Sequence, residues 1–363
     1  MGADLAQSDT RCAHPGRCVR SAALAVAAAT LALLAGDFSV AFEGHKTPAR
    51  HKVEASRISM ACLYSIVAYG DRPEALGHTL EAALDEVDRI DRLMSHYRDD
   101  SPLSRINREA ARAPVAVDRE MFDFLAMSLQ YSAESNGSFD ITVGALMKAW
   151  GFFRGEGRFP TSDELARARA ATGFRHVALD RRDRTIRFDR EGVELDLGGI
   201  AKGYAVDRAV DILRHNRVDS ALVSACGSTI YALGHPPGRS HWSVDIEDPV
   251  NAQRRALSIP LKNRAVSVSG SSEKFFERNG TRYSHIMDPR TGHPVGGVLS
   301  VVVQASTGTA GDAIDNVLFV EGIDRGWVFL QGHRDVAATF LLPTRGGWTR
   351  YDISADRRPR RFE

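Results

Sequence analysis

Ala221-Leu222-Val223-Ser224, Thr229-Ile230-Tyr231-Ala232-Leu233 and Ala265-Val266-Ser267-Val268-Ser269 belong to a series of short extended runs in the second half of the chain, and that series decides the fold. Each run is rich in β-branched and small apolar residues and lies between turn-forming residues, as strands do. Residues 242–246, 256–261, 283–287 and 299–304 continue the series, a helical pattern beginning near Thr309 interrupts it, and residues 336–342 close it. Strand runs accompanied by separate helices predict an α+β fold, with mixed, largely antiparallel strands and packed helices, and not a doubly wound sheet.

Working toward the N-terminus, Val193-Glu194-Leu195-Asp196-Leu197 alternates as a half-buried strand should, the last of three short strands expected over residues 176–197. Gly198-Gly199-Ile200-Ala201-Lys202-Gly203 then leads into a helix from Tyr204 to about His215. A strand, a glycine turn and a helix start together form an anion-binding arrangement, because free backbone N–H groups point outward there. The spacing is neither a Walker loop nor a dinucleotide fingerprint. Further upstream, Asp118 is the expected N-cap of a helix that runs to Ser135 and ends at Asn136-Gly137. Pro73 opens another helix, whose Leu76, Leu80, Leu84, Val87, Ile90 and Leu93 recur at spacings of three and four. Residues 60–69 read as the first strand, and residues 43–57 as a polar stretch before it.

The 363 residues, 43% hydrophobic and 26% charged, suit a globular protein with one large core or two intimate subdomains over residues 58–355. Lys plus Arg (47) nearly cancels Asp plus Glu (46), so charge gives no reason to expect a nucleic-acid partner. Arg17 and Arg20 precede an apolar run over residues 21–35, shorter than the roughly 20 residues of a membrane span, and Ser39-Val40-Ala41 has small residues at the spacing of a cleavage site. Residues 1–41 are therefore expected to be a signal peptide, with an uncleaved anchor as the alternative. Asp37 stands where a lipoprotein would need cysteine. Cys12 and Cys18 would leave with the signal, and Cys62 and Cys226 read as two separate small buried apolar residues.

Three segments carry chemistry. Ser284-His285-Ile286-Met287-Asp288-Pro289-Arg290-Thr291-Gly292 sets an imidazole, a carboxylate and a guanidinium at a sharp turn, so His285 serves as a general base or as a hydrogen-bonded structural histidine. Asp312, Asp315 and Asn316 share a helix face, which suits Mg²⁺ or Ca²⁺, or simply complements the helix dipole. Asp196 and Lys202 flank the glycine turn, either as solvated charges or where a phosphate-bearing ligand would be held.

These segments, together with Phe139-Asp140-Ile141-Thr142-Val143-Gly144, resemble the ApbE family of FAD:protein FMN transferases, magnesium-dependent enzymes usually exported from the bacterial cytoplasm. The resemblance runs from about Met60 to Val320 with the motifs in the family's order. It implies an ApbE-like fold and a periplasmic or inner-membrane-associated protein that splits FAD and passes FMN to a threonine or serine hydroxyl of an acceptor flavoprotein in a membrane or periplasmic redox system, releasing AMP. By the family pattern, Asp312, Asp315, Asn316 and the carbonyl of Gly199 would hold Mg²⁺, His285 would be the base or orient the hydroxyl, and Met60, Tyr97, Ser138, Phe139, Asp140, Asp196, Lys202 and Ile286 would line the FAD site. Hydrolysis of FAD to FMN and AMP, or FAD binding without turnover, are the alternatives. The chain departs from the family at Met60-Ala61-Cys62, where Met-Gly-Thr is usual, and at Asn316, where threonine is usual. Two more departures are Ala225-Cys226-Gly227-Ser228, in place of a paired-glycine turn, and Ser269-Gly270-Ser271-Ser272, which lacks an aromatic.

Overall fold

A computed structural model describes residues 50–362 except 154 and 156, so the expected signal segment lies outside the described residues. Nine strands form the main sheet: β1 (His51–Ser59), β2 (Cys62–Gly70), β3 (Ala221–Ala225), β4 (Thr229–Leu233), β5 (Arg264–Gly270), β6 (Ser300–Ala305), β7 (Ala337–Thr344), β8 (Gly347–Ser354) and β9 (Arg357–Phe362). They stand side by side in chain order, each antiparallel to its neighbours. The connection from β2 to β3 carries α1 (Pro73–Met94), α2 (Pro102–Glu109), α3 (Arg119–Glu134), α4 (Gly144–Ala149), α5 (Ser162–Ala170) and α6 (Ala201–His215). α7 (Gly308–Leu330) joins β6 to β7. The α+β expectation holds.

The period of two along the strands divides the sheet into two faces. Tyr64, Ile66 and Ala68 of β2, with Ala221, Val223 and Ala225 of β3, are buried under α1 and α6. The helix residues meeting them are the spacing-of-three-and-four set of α1, Leu76 to Leu93, and Ala205, Val206, Ala209, Val210 and Leu213 of α6. Each buried leucine there contributes about 1.5–3 kcal/mol, and Leu84→Ala in the middle of α1 would cost about 2–5 kcal/mol. Val67, Tyr69, Leu222, Val266 and Val302 point the other way, where the hairpin Trp242–Glu247/Arg255–Leu261 covers them with Trp242, Val244, Ile246 and Ile259.

Local signals set the helix ends. Asp118 Oδ1 accepts the Met121 N–H at 2.8 Å, and the chain leaves α3 through Asn136 and Gly137 at φ 50° and 78°. Thr307 caps α7 by accepting the Ala310 N–H at 3.1 Å.

Three expectations need correction. Residues 51–59, within and just after the polar stretch, form β1, an edge strand whose polarity hid it; its Arg57 lies between Glu81, Asp85 and Asp88 of α1. Met60 and Ala61 do not begin a strand. Ser59 pairs with Cys62, so these two residues are the whole loop of a hairpin, both with positive φ (53° and 56°), a conformation that usually selects Gly, Asn or Asp. Finally, Cys62 and Cys226 are disulfide-bonded, with Cα atoms 5.5 Å apart. Their separation in sequence is immaterial because β2 and β3 are neighbours: Tyr64 faces Ala225, and the Cys226 N–H bonds to the Leu63 carbonyl at 2.8 Å.

Candidate active site

The helices α6 and α7 start beside each other because glycines let their backbones touch. A Cβ at Gly203 would sit 2.2 Å from the Gly308 carbonyl oxygen and 2.8 Å from Asp312 Cβ. Asp207 of α6 then caps α7, accepting the Gly308 and Thr309 N–H groups at 2.7 and 2.8 Å. In return, Asp312 of α7 accepts the Gly203 N–H at 2.9 Å. The two helix starts are thereby joined at the glycine turn, where Asp196 Oδ1 accepts the Gly198 N–H at 2.9 Å. The segment 193–197 forms no ladder strand, yet it keeps the expected alternation, with Val193, Leu195 and Leu197 buried.

A cavity opens over this turn. It brings together Ser138, Phe139 and Asp140 from the loop after α3, Asp196, Gly199 and Lys202 from the glycine turn, His285 and Ile286 from the β5–β6 connection, and Asp312 and Asn316 from α7. Asp315, which is 1% exposed, lies behind that wall and accepts hydrogen bonds from Ser267 and Ser269 of β5 at 2.6 and 2.9 Å. Met60 and Tyr97 do not line the cavity. Met60 Sδ accepts the Tyr64 hydroxyl at 3.2 Å, and the Tyr97 ring stacks on Phe153 with centroids 5.0 Å apart.

Charge is unevenly distributed here. Burial pushes the Asp312 carboxyl above its ordinary range, with Lys202 opposing; burial and then the charge of Asp312 push Asp315 well above it. Burial would lower Lys202, but Asp312, Glu273 and Asp315 hold it raised. Three carboxylates thus face one ammonium. A hard divalent cation fits that excess and the oxygen donors present. Among the described residues no three His, Cys, Asp or Glu side chains converge as metal ligands; the oxygens gathered here are those of Asp312, Asp315, the Asn316 amide and the Gly199 carbonyl. Asn316 Nδ2 donates to Gly199 O, Asp312 O and Asp315 Oδ1 at 3.3, 2.8 and 3.0 Å, standing among the oxygens a cation would take. To act as a ligand, the amide must turn its oxygen inward.

Burial, and next the charge of Lys202, lower His285 to about 4, so its ring is neutral near pH 7. Its Nδ1 lies 3.1 Å from the Lys274 carbonyl; donating there leaves Nε2 as a proton acceptor. The rest of its turn is structural. Arg290 grips Asp288 at 3.0 Å and pairs with Glu321 of α7, fastening the turn to the helix. Asp140 is likewise held by the protein, accepting from the Thr142 N–H at 2.9 Å and the Phe174 N–H at 2.6 Å. Sequence reading missed Met147, Ser269 and Glu273, which also line the cavity.

Fold and site together define an α+β protein in which a glycine turn, two helix starts, buried carboxylates and a neutral imidazole share one cavity. The chain belongs to the ApbE family, whose model matches residues 60–340. It is 35% identical to an FAD:protein FMN transferase of Treponema pallidum over 79% of this chain and 84% of that one. It is 31% identical to one of Vibrio cholerae over 91% and 96%. Among solved structures, the ApbE protein of Thermotoga maritima superposes with a TM-score of 0.74 at 30% identity, over 82% of this chain and 96% of that one. The flavin transferase ApbE of Vibrio cholerae gives 0.74 at 28%, over 85% and 98%.

Proposed function

We propose that the protein transfers FMN from FAD to a threonine or serine hydroxyl of an acceptor flavoprotein, releasing AMP. The observation that carries this reading is the cavity itself, lined by Lys202, the Gly198–Gly199 turn, Asp312 and His285 with Asp315 just behind its wall, in a chain whose relatives are FAD:protein FMN transferases. The attacking hydroxyl oxygen forms a bond to the FMN phosphorus, the pyrophosphate P–O bond breaks, and AMP leaves with that electron pair. Nε2 of His285 takes the hydroxyl proton or holds the hydroxyl in line. Lys202 and the backbone N–H groups at the start of α6 hold phosphate charge. Asp312, Asp315, Asn316 and the Gly199 carbonyl would hold Mg²⁺, which when bound neutralises charge on the pyrophosphate.

The apolar run over residues 21–35 and the Cys62–Cys226 disulfide support an exported, periplasmic location, since disulfides persist in oxidising compartments. Incubating the purified protein with FAD, Mg²⁺ and an acceptor domain tests the reaction. Flavin fluorescence retained on the denatured acceptor, with an equivalent of AMP, is the expected result. AMP without labelled acceptor would mean hydrolysis, and bound FAD without AMP would mean binding alone; either overturns transfer.

A further inference from the structure

A second charged cluster lies against the cavity wall. The His96 side chain, 4% exposed, is inserted between Glu194 and Asp196, with Nε2 2.8 Å from Glu194 Oε1 and Nδ1 3.5 Å from Asp196 Oδ2. Among the described residues Nδ1 makes no closer contact to an acceptor, so it is a buried donor directed at Asp196, the one carboxylate of the pair that lines the cavity. Glu194 and Asp196 are two apart on an extended segment and project to the same side, where two buried negative charges would repel. Lys148 of α4 pairs with Glu194, completing a row of alternating charge: Lys148, Glu194, His96, Asp196. Phe153 shields the row, its ring 4.6 Å from His96 and 4.8 Å from Lys148 Nζ.

We propose that His96 is a positioning residue for FAD, holding the Asp196 carboxylate ionised and turned into the cavity to accept an N–H or O–H of the flavin dinucleotide. This rests on the FAD reading above. Without His96, Asp196 would face Glu194 across a hole, with Lys148 already engaged. Burial works against the charged ring, yet Asp196 and Glu194 raise His96 to about 9. Burial would raise Asp196, but His96 holds it below its ordinary range. Asp196 also feels His285 and Lys274 from the β5–β6 connection.

The test is FAD binding by the full purified protein, without acceptor or metal, from pH 6 to 9.5. Wild type should bind with little change from pH 6 to 8 and lose affinity as the pH passes about 9. H96Q should bind about tenfold or more weakly, the scale of a lost charge-assisted contact. It should weaken further at the acidic end of the range, since burial raises Asp196 once His96 no longer opposes it. H96Q/E194Q should recover part of the loss because the facing charge is gone. Unchanged affinity in H96Q, or a loss with neither pH dependence nor recovery, overturns the positioning role. No FAD binding by wild type instead removes the flavin reading and this inference with it. If H96Q does not fold, NMR of the wild-type ring decides: an imidazolium that persists through pH 8 and shifts on adding FAD supports the role. A ring that titrates near 6.5 and ignores FAD refutes it.

Discussion

Replacing both Cys62 and Cys226 with serine removes a cross-link that closes a loop of 164 residues. For a loop of that length, the chain-entropy model gives about 5 kcal/mol of stabilisation through the unfolded state. The same bond also holds the Met60–Ala61 loop, where two non-glycine residues sit at positive φ, a conformation that costs about 1–2 kcal/mol each. Losing the bond lets that hairpin relax, which reduces the net loss below the full entropic value. Guanidinium unfolding followed by tryptophan fluorescence should place the double-serine midpoint below that of the oxidised wild type by up to about 1 M. Reduced wild type should match the variant. Coincident midpoints for oxidised wild type and variant would refute the reasoning, as would non-reducing peptide maps with Cys62 and Cys226 in unlinked peptides.

Asp312→Ala should lower Mg²⁺-dependent turnover by about a hundredfold or more, since it removes a charged ligand from the pyrophosphate clamp; undiminished activity would sink the metal assignment. Gly203→Ala should destabilise the fold by about 1–3 kcal/mol in a thermal melt, because the new Cβ has no room beside Gly308 and Asp312. The His285 ring in the ligand-free protein should show no NMR titration between pH 5.5 and 8. Its folded value lies below the unfolded one, so stability falls as the pH drops from about 6.5 toward about 4, where the unfolded state takes up the proton first. A ring titrating near 6.5 would contradict this.

The parts of the molecule legible in the sequence were those fixed by neighbours along the chain. The leucines of α1 announce a buried face by their spacing, Asp118 and Asn136-Gly137 mark both ends of α3, and the Gly198 turn announces the start of α6. The helical spacing of Asp312, Asp315 and Asn316 marked the acidic wall. What stayed hidden depends on pairing across the fold. β1 is polar because most of its side chains are exposed, and among the described residues it pairs only with β2; the disulfide requires knowing that β2 adjoins β3, and His96 meets Glu194 and Asp196 from positions 98 and 100 away in the sequence. Met60 and Tyr97, singled out by family pattern, stand outside the cavity lining, Met60 against Tyr64 and Tyr97 stacked on Phe153.

The order of strands in the sheet also sets a timetable for synthesis. Seven of the nine strands follow one another after residue 220, but β2 must wait for the whole of residues 71–220 before β3 exists to pair with it. As the chain emerges, β1, β2 and α1 can assemble early, drawn together by Arg57 and its three acidic partners. The inner edge of β2 meanwhile remains an open template, with backbone groups that any passing strand could satisfy. Residues 221–225 carry the register that satisfies this edge, and closing so long a loop prolongs its exposure.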